Sequence, residues 1–300
     1  KTINSDNITF DETDDQIVVS GKNFKVSIGK KSGLIESYEA GNKQVITSAL
    51  KPYFWRPLTD NDERGWRAQQ RLAIWKDLPE MLNITEMNAD ASSAAISVEF
   101  AYKELSLKLN YTFANDGTID VNFDLSIPEE MPEPIRVGMN MGVSTSLQQM
   151  SFYGKGPFEN YSDRNGAADI DIYKGSVDDF YYNYTKPQES SNHTCVRWLA
   201  LTNNNSGLMV LGKSPLQTSV WPYSAENIYV AQHPTELEKA DALTVNISHK
   251  MAGVGGNDSW SINARPIDKY RLLEKAYSYE FKLVPLSKAK DLQQIYRDTK

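Results

Sequence analysis

The sequence predicts an all-β chain built as one large antiparallel β-sandwich, and three observations carry that expectation. Ile96, Val98, Phe100 and Tyr102 alternate with Ser97, Glu99, Ala101 and Lys103; Leu105, Leu107, Leu109, Tyr111 and Phe113 do the same, as do Ile119, Val121, Phe123, Leu125 and Ile127. A period of two held over consecutive segments gives antiparallel strands with one buried and one wet face. The Asn115-Asp116-Gly117 turn between the last two marks a hairpin. Short strand-like runs recur through the rest of the chain, without the alternating strand and helix units of a barrel.

Taken in order, residues 1–14 are polar and read as a linker or a cut end, with the sandwich domain expected over 15–286 and a helical tail over 287–300. Residues 16–49 read as a meander: QIVVS, NFKVSIG, a GKKSG turn, LIESYEA, a Gly-Asn turn and QVITS. KPYFWRPLTDNDERGW, 51–66, breaks the pattern with two prolines and clustered aromatic and charged residues. WRAQQRLAIWKDL, 66–78, lacks Pro and Gly and is rich in helix formers, so a short helix is expected. MPEPIRVGMNMGVST reads as a strand after a proline-rich turn, and SFYGKGPFENYSDRNGAADI as a long loop. In that loop an Arg–carboxylate pair among Glu159, Asp163 and Arg164 would fix the backbone. The run Phe180 to Pro187 is rich in tyrosine, which suits a domain interface or a sugar-stacking surface. Further strands are expected at GLMVLG, LQTSVW, DALTVNISHK and AYSYEFKLVPL. SKAKDLQQIYRD then forms a helix capped by Ser287, with Leu292, Ile295 and Tyr296 on one face.

The bulk numbers exclude several function classes. Lys and Arg total 32 against 39 Asp and Glu, a net charge of −7, which argues against nucleic acid or an anionic membrane as partner. No apolar run approaches the roughly 18 residues of a membrane span, and the N-terminal stretch is too polar for a signal peptide. One cysteine, Cys195, excludes an intrachain disulfide and a Cys-cluster metal site; its apolar surroundings predict a buried, inert thiol. Asp60 and Asp62 flank Asn61, oxygen donors that suit a hard cation, but no Glu follows at the spacing of a calcium loop, so no metal site is expected.

GVGGNDSW, 253–260, follows directly on a strand-like run. Gly253, Gly255 and Gly256 permit positive φ, and Asn257 and Asp258 hydrogen-bond their own turn. Such a loop either leads into a core tryptophan or holds Trp260 out as a rigid apolar flat. A flat of that kind matches the C–H face of a pyranose. Loops carried by a rigid sheet are where function concentrates.

GVGGNDSW, together with KPYFWRPLTDND at 51–62, YGKGPFENYSDR at 153–164 and PQESSNHTCVRWLAL at 187–201, resembles the C-terminal domain of family 2 β-galactosidases, the β-galactosidase small chain. Four motifs in order make the resemblance specific, and it covers residues 15–285. It implies a supersandwich of the galactose mutarotase type. In the family the tryptophan matching Trp260 reaches into the neighbouring catalytic barrel and lines the galactose subsite, so Trp260, with Asn257 and Asp258 of the same loop, is expected to bind substrate. The loop matching Asp60, Asn61 and Asp62, with Gly65, borders the mouth of the active site. Ser191 stands where the family usually has glycine, so a different local turn is expected there.

A retaining glycosidase needs two carboxyl groups about 5 to 5.5 Å apart. In the family both lie on the barrel, so the chain alone is expected to be inactive. The expected partners are that barrel, in the same chain or a separate subunit, and a galactoside. No cofactor is expected here; magnesium or sodium would belong to the parent, expected to be a soluble cytoplasmic or periplasmic enzyme. Two other functions compete. An aldose 1-epimerase would need an acid–base set, for which Glu189 and His193 are the candidates, since His233 and His249 sit in no epimerase motif. A free-standing carbohydrate-binding module would need several exposed aromatics on one platform.

Overall fold

The structure, a computed structural model, describes residues 2–5, 8–287 and 291–299. Six strands open it: β1 (Thr2–Ser5), β2 (Ile8–Glu12), β3 (Gln16–Gly21), β4 (Phe24–Gly29), β5 (Ile35–Ala40) and β6 (Lys43–Tyr53). After a helical crossing come β7 (Asn83–Asp90), β8 (Ala95–Tyr102), β9 (Leu105–Phe113), β10 (Ile119–Ser126), β11 (Arg136–Ser144), β12 (Gln149–Gly156) and β13 (Asp169–Ser176). β14 (His193–Thr202), β15 (Ser206–Trp221), β16 (Ala242–Met251) and β17 (Ala276–Ser287) complete the set.

All pairings between these strands are antiparallel. β1 to β6 pair in sequence order, and β6 then lies against β11, which pairs with β16. From β16 the ladder runs to β15, β17, β10, β9, β8 and β7, while β14 joins β15 to β12 and β13. The sheet curls so that inward faces from distant strands meet in one core. Phe54 packs on Trp75 and on Phe123, and Phe123 on Tyr279, at ring-centroid distances of 5.4, 6.4 and 5.2 Å. The alternating residues of β9 and β10 point into this core as their period of two requires: Leu105, Leu107, Leu109, Tyr111 and Phe113 are buried, and the residues between them are not. The all-β antiparallel sandwich is therefore the observed fold.

Several expected boundaries move. Within residues 1–14, read as a linker or cut end, β2 pairs with β3, and Ile8 and Phe10 are buried, with Phe10 edge-on to Phe113 at 6.1 Å. Two inward positions among polar neighbours are too short a pattern to register. Besides β1 and β2, three further strands, β7, β12 and β13, were not expected; β12 contains Gly154 and Gly156, which read as loop, yet both bring the backbone close to neighbouring side chains. The two strands expected at GLMVLG and LQTSVW are one, β15, whose first half pairs with β17 and whose second half pairs with β16. Pro215 lies in the stretch between these ladders, where its missing N–H breaks no pairing.

The helix expected over 66–78 is split. A π-type turn at Asn61–Gly65 leads to Ala68–Arg71 and then to Ala73–Met81, which buries Trp75 and Leu78 and contains Pro79. At the C-terminus Ser287 is the last residue of β17 and not a helix cap; the stretch 288–290 lies outside the described residues. The helix runs Leu292–Thr299, and Asp291 accepts the Gln293 N–H at 2.9 Å. Leu292, Ile295 and Tyr296 pack on Trp198, Met209, Leu211 and Val284, so this tail is docked on the outer face of the sandwich. Cys195 is half-buried and takes φ 55°, where a fully buried thiol was expected. No helix among the described residues is long and apolar enough to cross a membrane.

Candidate functional site

The site begins with a buried cation. Arg56 follows an aromatic run and is 0% exposed, so its charge must be met inside the protein. Its Nε and Nη2 donate to Asp62 Oδ2 and Oδ1, each at 2.9 Å, a bidentate pair. Its remaining N–H groups reach across the sequence to the carbonyls of Ala252 and Gly253, at 2.8 and 2.9 Å. Asp62 also accepts the Thr59 amide at 3.0 Å and the Trp66 indole N–H at 3.2 Å. The TDND segment is thus a clamp on the root of the 253–260 loop, and the oxygens of Asp62 are already filled by donors. Among the described residues no group of three or more His, Cys, Asp or Glu could hold a metal ion.

Further hydrogen bonds fix the loop above that root. Asp163 Oδ2 accepts the amides of Val254 and Gly255 at 2.9 and 2.8 Å. Asn61 Nδ2 donates to Ala264 O at 3.3 Å, and Asn257 N–H to Asn263 O at 2.7 Å. Asp258 closes the tip: Oδ1 accepts the amides of Trp260 and Ser261 at 3.2 and 3.0 Å, and Oδ2 accepts Ser261 Oγ at 2.6 Å. The Ser261 hydroxyl holds the Asp258 carboxyl below the usual carboxylate range.

The glycines act differently from the expectation. None of Gly253, Gly255 and Gly256 adopts positive φ. Two are required by close approach instead: a Cβ on Gly253 would lie 2.5 Å from Asp163 Oδ2, and one on Gly256 would lie 2.3 Å from Ala264 O. Gly65 is of the same kind, since its Cβ would meet that of Ala264 at 2.3 Å. Ser191, by contrast, does take φ 65°, the backbone that glycine adopts freely. Its N–H donates to Glu159 Oε2 at 2.7 Å and its Oγ accepts the Tyr182 amide at 2.9 Å, bonds that hold the strained turn in place.

The product of these anchors is Trp260, 79% exposed on a loop tied down at its root, middle and tip. Asn257 is exposed beside it, whereas both oxygens of Asp258 serve the turn. Asp60 is exposed and forms only a loose pair with Arg64 at 3.9 Å. The sequence pointed to the loop and its tryptophan but not to Arg56 or to Asp163 as its anchor. The one available signal was an arginine within an apolar run, which has to find an acceptor. Asp163→Ala should leave the amides of Val254 and Gly255 without an acceptor, a local loss of about 1–3 kcal/mol. Hydrogen exchange at these two amides should accelerate while exchange in β9 and β10 stays unchanged.

Glu189 and His193 lie elsewhere and are engaged separately. Glu189 is buried, its Oε1 2.8 Å from Arg136 Nη2, and its amide bonds to Pro57 O at 2.8 Å. Arg136 Nη2 also donates to Met251 Sδ at 2.9 Å. Burial pushes the Glu189 carboxyl up, opposed by Arg136 and Arg56. His193 opens β14 with 0% exposure, its Nδ1 3.2 Å from Lys155 O and its ring tilted against that of Phe152, with centroids 4.1 Å apart. An imidazole so enclosed cannot reach a substrate.

Burial lowers the His193 pKa to about 4 from 6.5. Because the folded value is the depressed one for a base, its contribution is complete above the unfolded pKa and lost as pH falls from 6.5 toward about 4. Near pH 5 the loss should be about 2 kcal/mol. Glu189, raised by burial, acts in the opposite sense, gaining stability as pH falls. The comparison of chain and His193→Gln variant therefore isolates the histidine: urea midpoints should fall between about pH 7 and pH 5 more steeply in the parent than in the variant.

Comparison with known proteins gives the family and the fold. The family model described as "Beta galactosidase small chain" matches residues 20–283. A β-galactosidase of Priestia megaterium is 32% identical over 285 residues, covering 93% of this chain and 27% of that protein. One from Pseudoalteromonas haloplanktis is 30% identical over 292 residues, covering 92% of this chain and 27% of its own length. The chain thus spans about a quarter of the relatives that it matches. Among solved structures, a galactose mutarotase related enzyme from Lactobacillus acidophilus superimposes with TM-score 0.51 at 11% identity, covering 92% of this chain and 99% of that one, which establishes a mutarotase-like sandwich fold. With the family pattern running through both TDND and GVGGNDSW, this chain belongs to the β-galactosidase small-chain family.

Proposed function

We propose that this chain is the non-catalytic part of a β-galactosidase, and that it completes the galactose subsite of a catalytic barrel by presenting Trp260. The observation that carries this reading is the combination of 79% exposure with a fully anchored loop. An indole left in water on a fixed backbone is placed for a surface or ligand outside the chain, since a core residue would be covered and a mobile tip would not need four anchors. The two carboxyls of the retaining reaction are assigned to the barrel, with which the chain assembles in one polypeptide or as a separate subunit. Any magnesium or sodium requirement belongs to that partner. An epimerase reading is opposed by the enclosure of His193 and by the ion pair of Glu189.

The deciding experiment is hydrolysis of a chromogenic β-galactoside by the 300-residue chain, alone and mixed with a catalytic fragment that lacks this region. The expected result is no turnover alone and recovery on mixing. Turnover by the chain alone would overturn the proposal.

A further inference from the structure

The tyrosine-rich run 180–187 comes to lie near the anchored loop, as one wall of an aromatic groove. Phe158, Tyr182 and Tyr184 line this groove of about 360 Å³ with Glu159 and Arg164. Arg164 and Tyr184 also line the cleft that Val254 borders, so the groove and the Trp260 loop belong to one continuous surface. Phe158 and Tyr182 are 49% and 53% exposed, a large share of two rings left in water side by side. Neither ring stands on loose backbone. The Phe158 carbonyl accepts Asn160 Nδ2 at 3.1 Å, from a fully buried side chain, and the Tyr182 N–H donates to Ser191 Oγ at 2.9 Å. The polar groups of the groove are spent on one another. Glu159 Oε1 accepts Arg164 Nη2 and the Tyr184 hydroxyl, and Oε2 accepts the Ser191 N–H at 2.7 Å and the Tyr161 hydroxyl at 3.3 Å. These donors occupy both oxygens, so the groove's carboxylate is not free to take a sugar hydroxyl. Glu159 and Arg164 also cancel in charge, which leaves an ion nothing to neutralise. What the groove offers is ring surface of Phe and Tyr, residue types enriched at protein interfaces.

We propose that this groove is a docking surface that seats an apolar, uncharged face of the catalytic part of the parent β-galactosidase. The chain spans 27% of the length of the relatives that it matches, so most of such a parent lies outside it. Continuity with the loop that presents Trp260 puts the groove beside the place where that part arrives. The inference rests on the reading of the chain as part of a β-galactosidase, and not on the sugar contact given to Trp260. The two surfaces divide the work: Phe158 and Tyr182 hold the parts together, and Trp260 meets the sugar. Loss of the groove should therefore weaken assembly and spare KM, and loss of the indole should do the reverse.

The test is hydroxyl-radical footprinting, read by mass spectrometry, of the chain alone and of the assembled β-galactosidase that contains it. Phe158 and Tyr182 should be oxidised readily in the chain alone and at least about tenfold more slowly in the assembled enzyme, with no galactoside present. Tyr182→Asp sets a charge among the rings; because Tyr182 is half exposed, the isolated variant should keep its urea midpoint. In the assembled enzyme this variant should raise Phe158 oxidation at least about threefold, or assembly should be lost while the chain itself stays folded. Trp260→Ala should leave both rings protected, so the two readings fail separately. Protection with normal Trp260→Ala kinetics would keep the docking groove and remove the sugar subsite; impaired kinetics without protection would do the opposite. Full reactivity of Phe158 and Tyr182 in the assembled enzyme, protection that appears only when lactose is added, or protection unchanged in Tyr182→Asp would each overturn the proposal.

Discussion

Replacing Arg56 by methionine should lower the unfolding free energy by about 3–5 kcal/mol, the largest stability effect expected of any single exchange in the loop's supporting shell. Methionine keeps much of the volume, so packing is not the main loss. What remains is Asp62, 1% exposed, its charge held only by one amide and one indole N–H. The carbonyls of Ala252 and Gly253 lose their donors at the same time. Breaking one partner of a buried pair is costly because the other charge stays behind, even where the pair as a whole adds little. A paired exchange of Arg56→Met with Asp62→Leu should therefore recover part of the loss, a coupling that a double-mutant cycle in urea reads directly. A single-variant loss below about 1 kcal/mol would show that the clamp is not what holds the loop root.

That clamp also marks the limit of what the sequence discloses. The strands at Ala95–Tyr102, Leu105–Phe113 and Ile119–Ser126 were legible because each has one wet face, so burial writes itself into every second residue. Gln149–Gly156 was not, because its two glycines signal turns and its ladders to β13 and β14 are formed across loops that give no hairpin signal. The glycine-rich loop was visible as a loop, yet absence of a Cβ is compatible with two uses, positive φ or close approach. Only the position of Asp163 and Ala264 decides for the second. Two of the anchors pair residues 91 and 197 positions apart, Asp163 with Val254 and Arg56 with Gly253, and nothing local encodes those distances. Ser191 is the informative middle case. A departure from the family's glycine pointed to a changed turn, but the serine adopts positive φ and is held there by Glu159 and Tyr182.

Exchange of Trp260 for alanine should separate function from stability more cleanly than any other change. With the side chain 79% exposed, the isolated chain should keep its urea midpoint within about 0.5 kcal/mol. In the assembled enzyme the ring is proposed to be covered by the sugar, and removing that apolar contact corresponds to about 2–3 kcal/mol. Converted to rates, kcat/KM for a β-galactoside should drop roughly 30- to 150-fold. Trp260→Phe, which retains a smaller flat, should fall between the two. Asp163→Ala offers an internal control: it leaves the indole intact but frees the loop that aims it, so its kinetic loss should be smaller and should lie in orientation of a group still present. If Trp260→Ala kept normal kinetics while Asp163→Ala did not, the loop backbone and not the indole would be the contacting element. Unchanged kinetics in both would remove this loop from the galactose subsite.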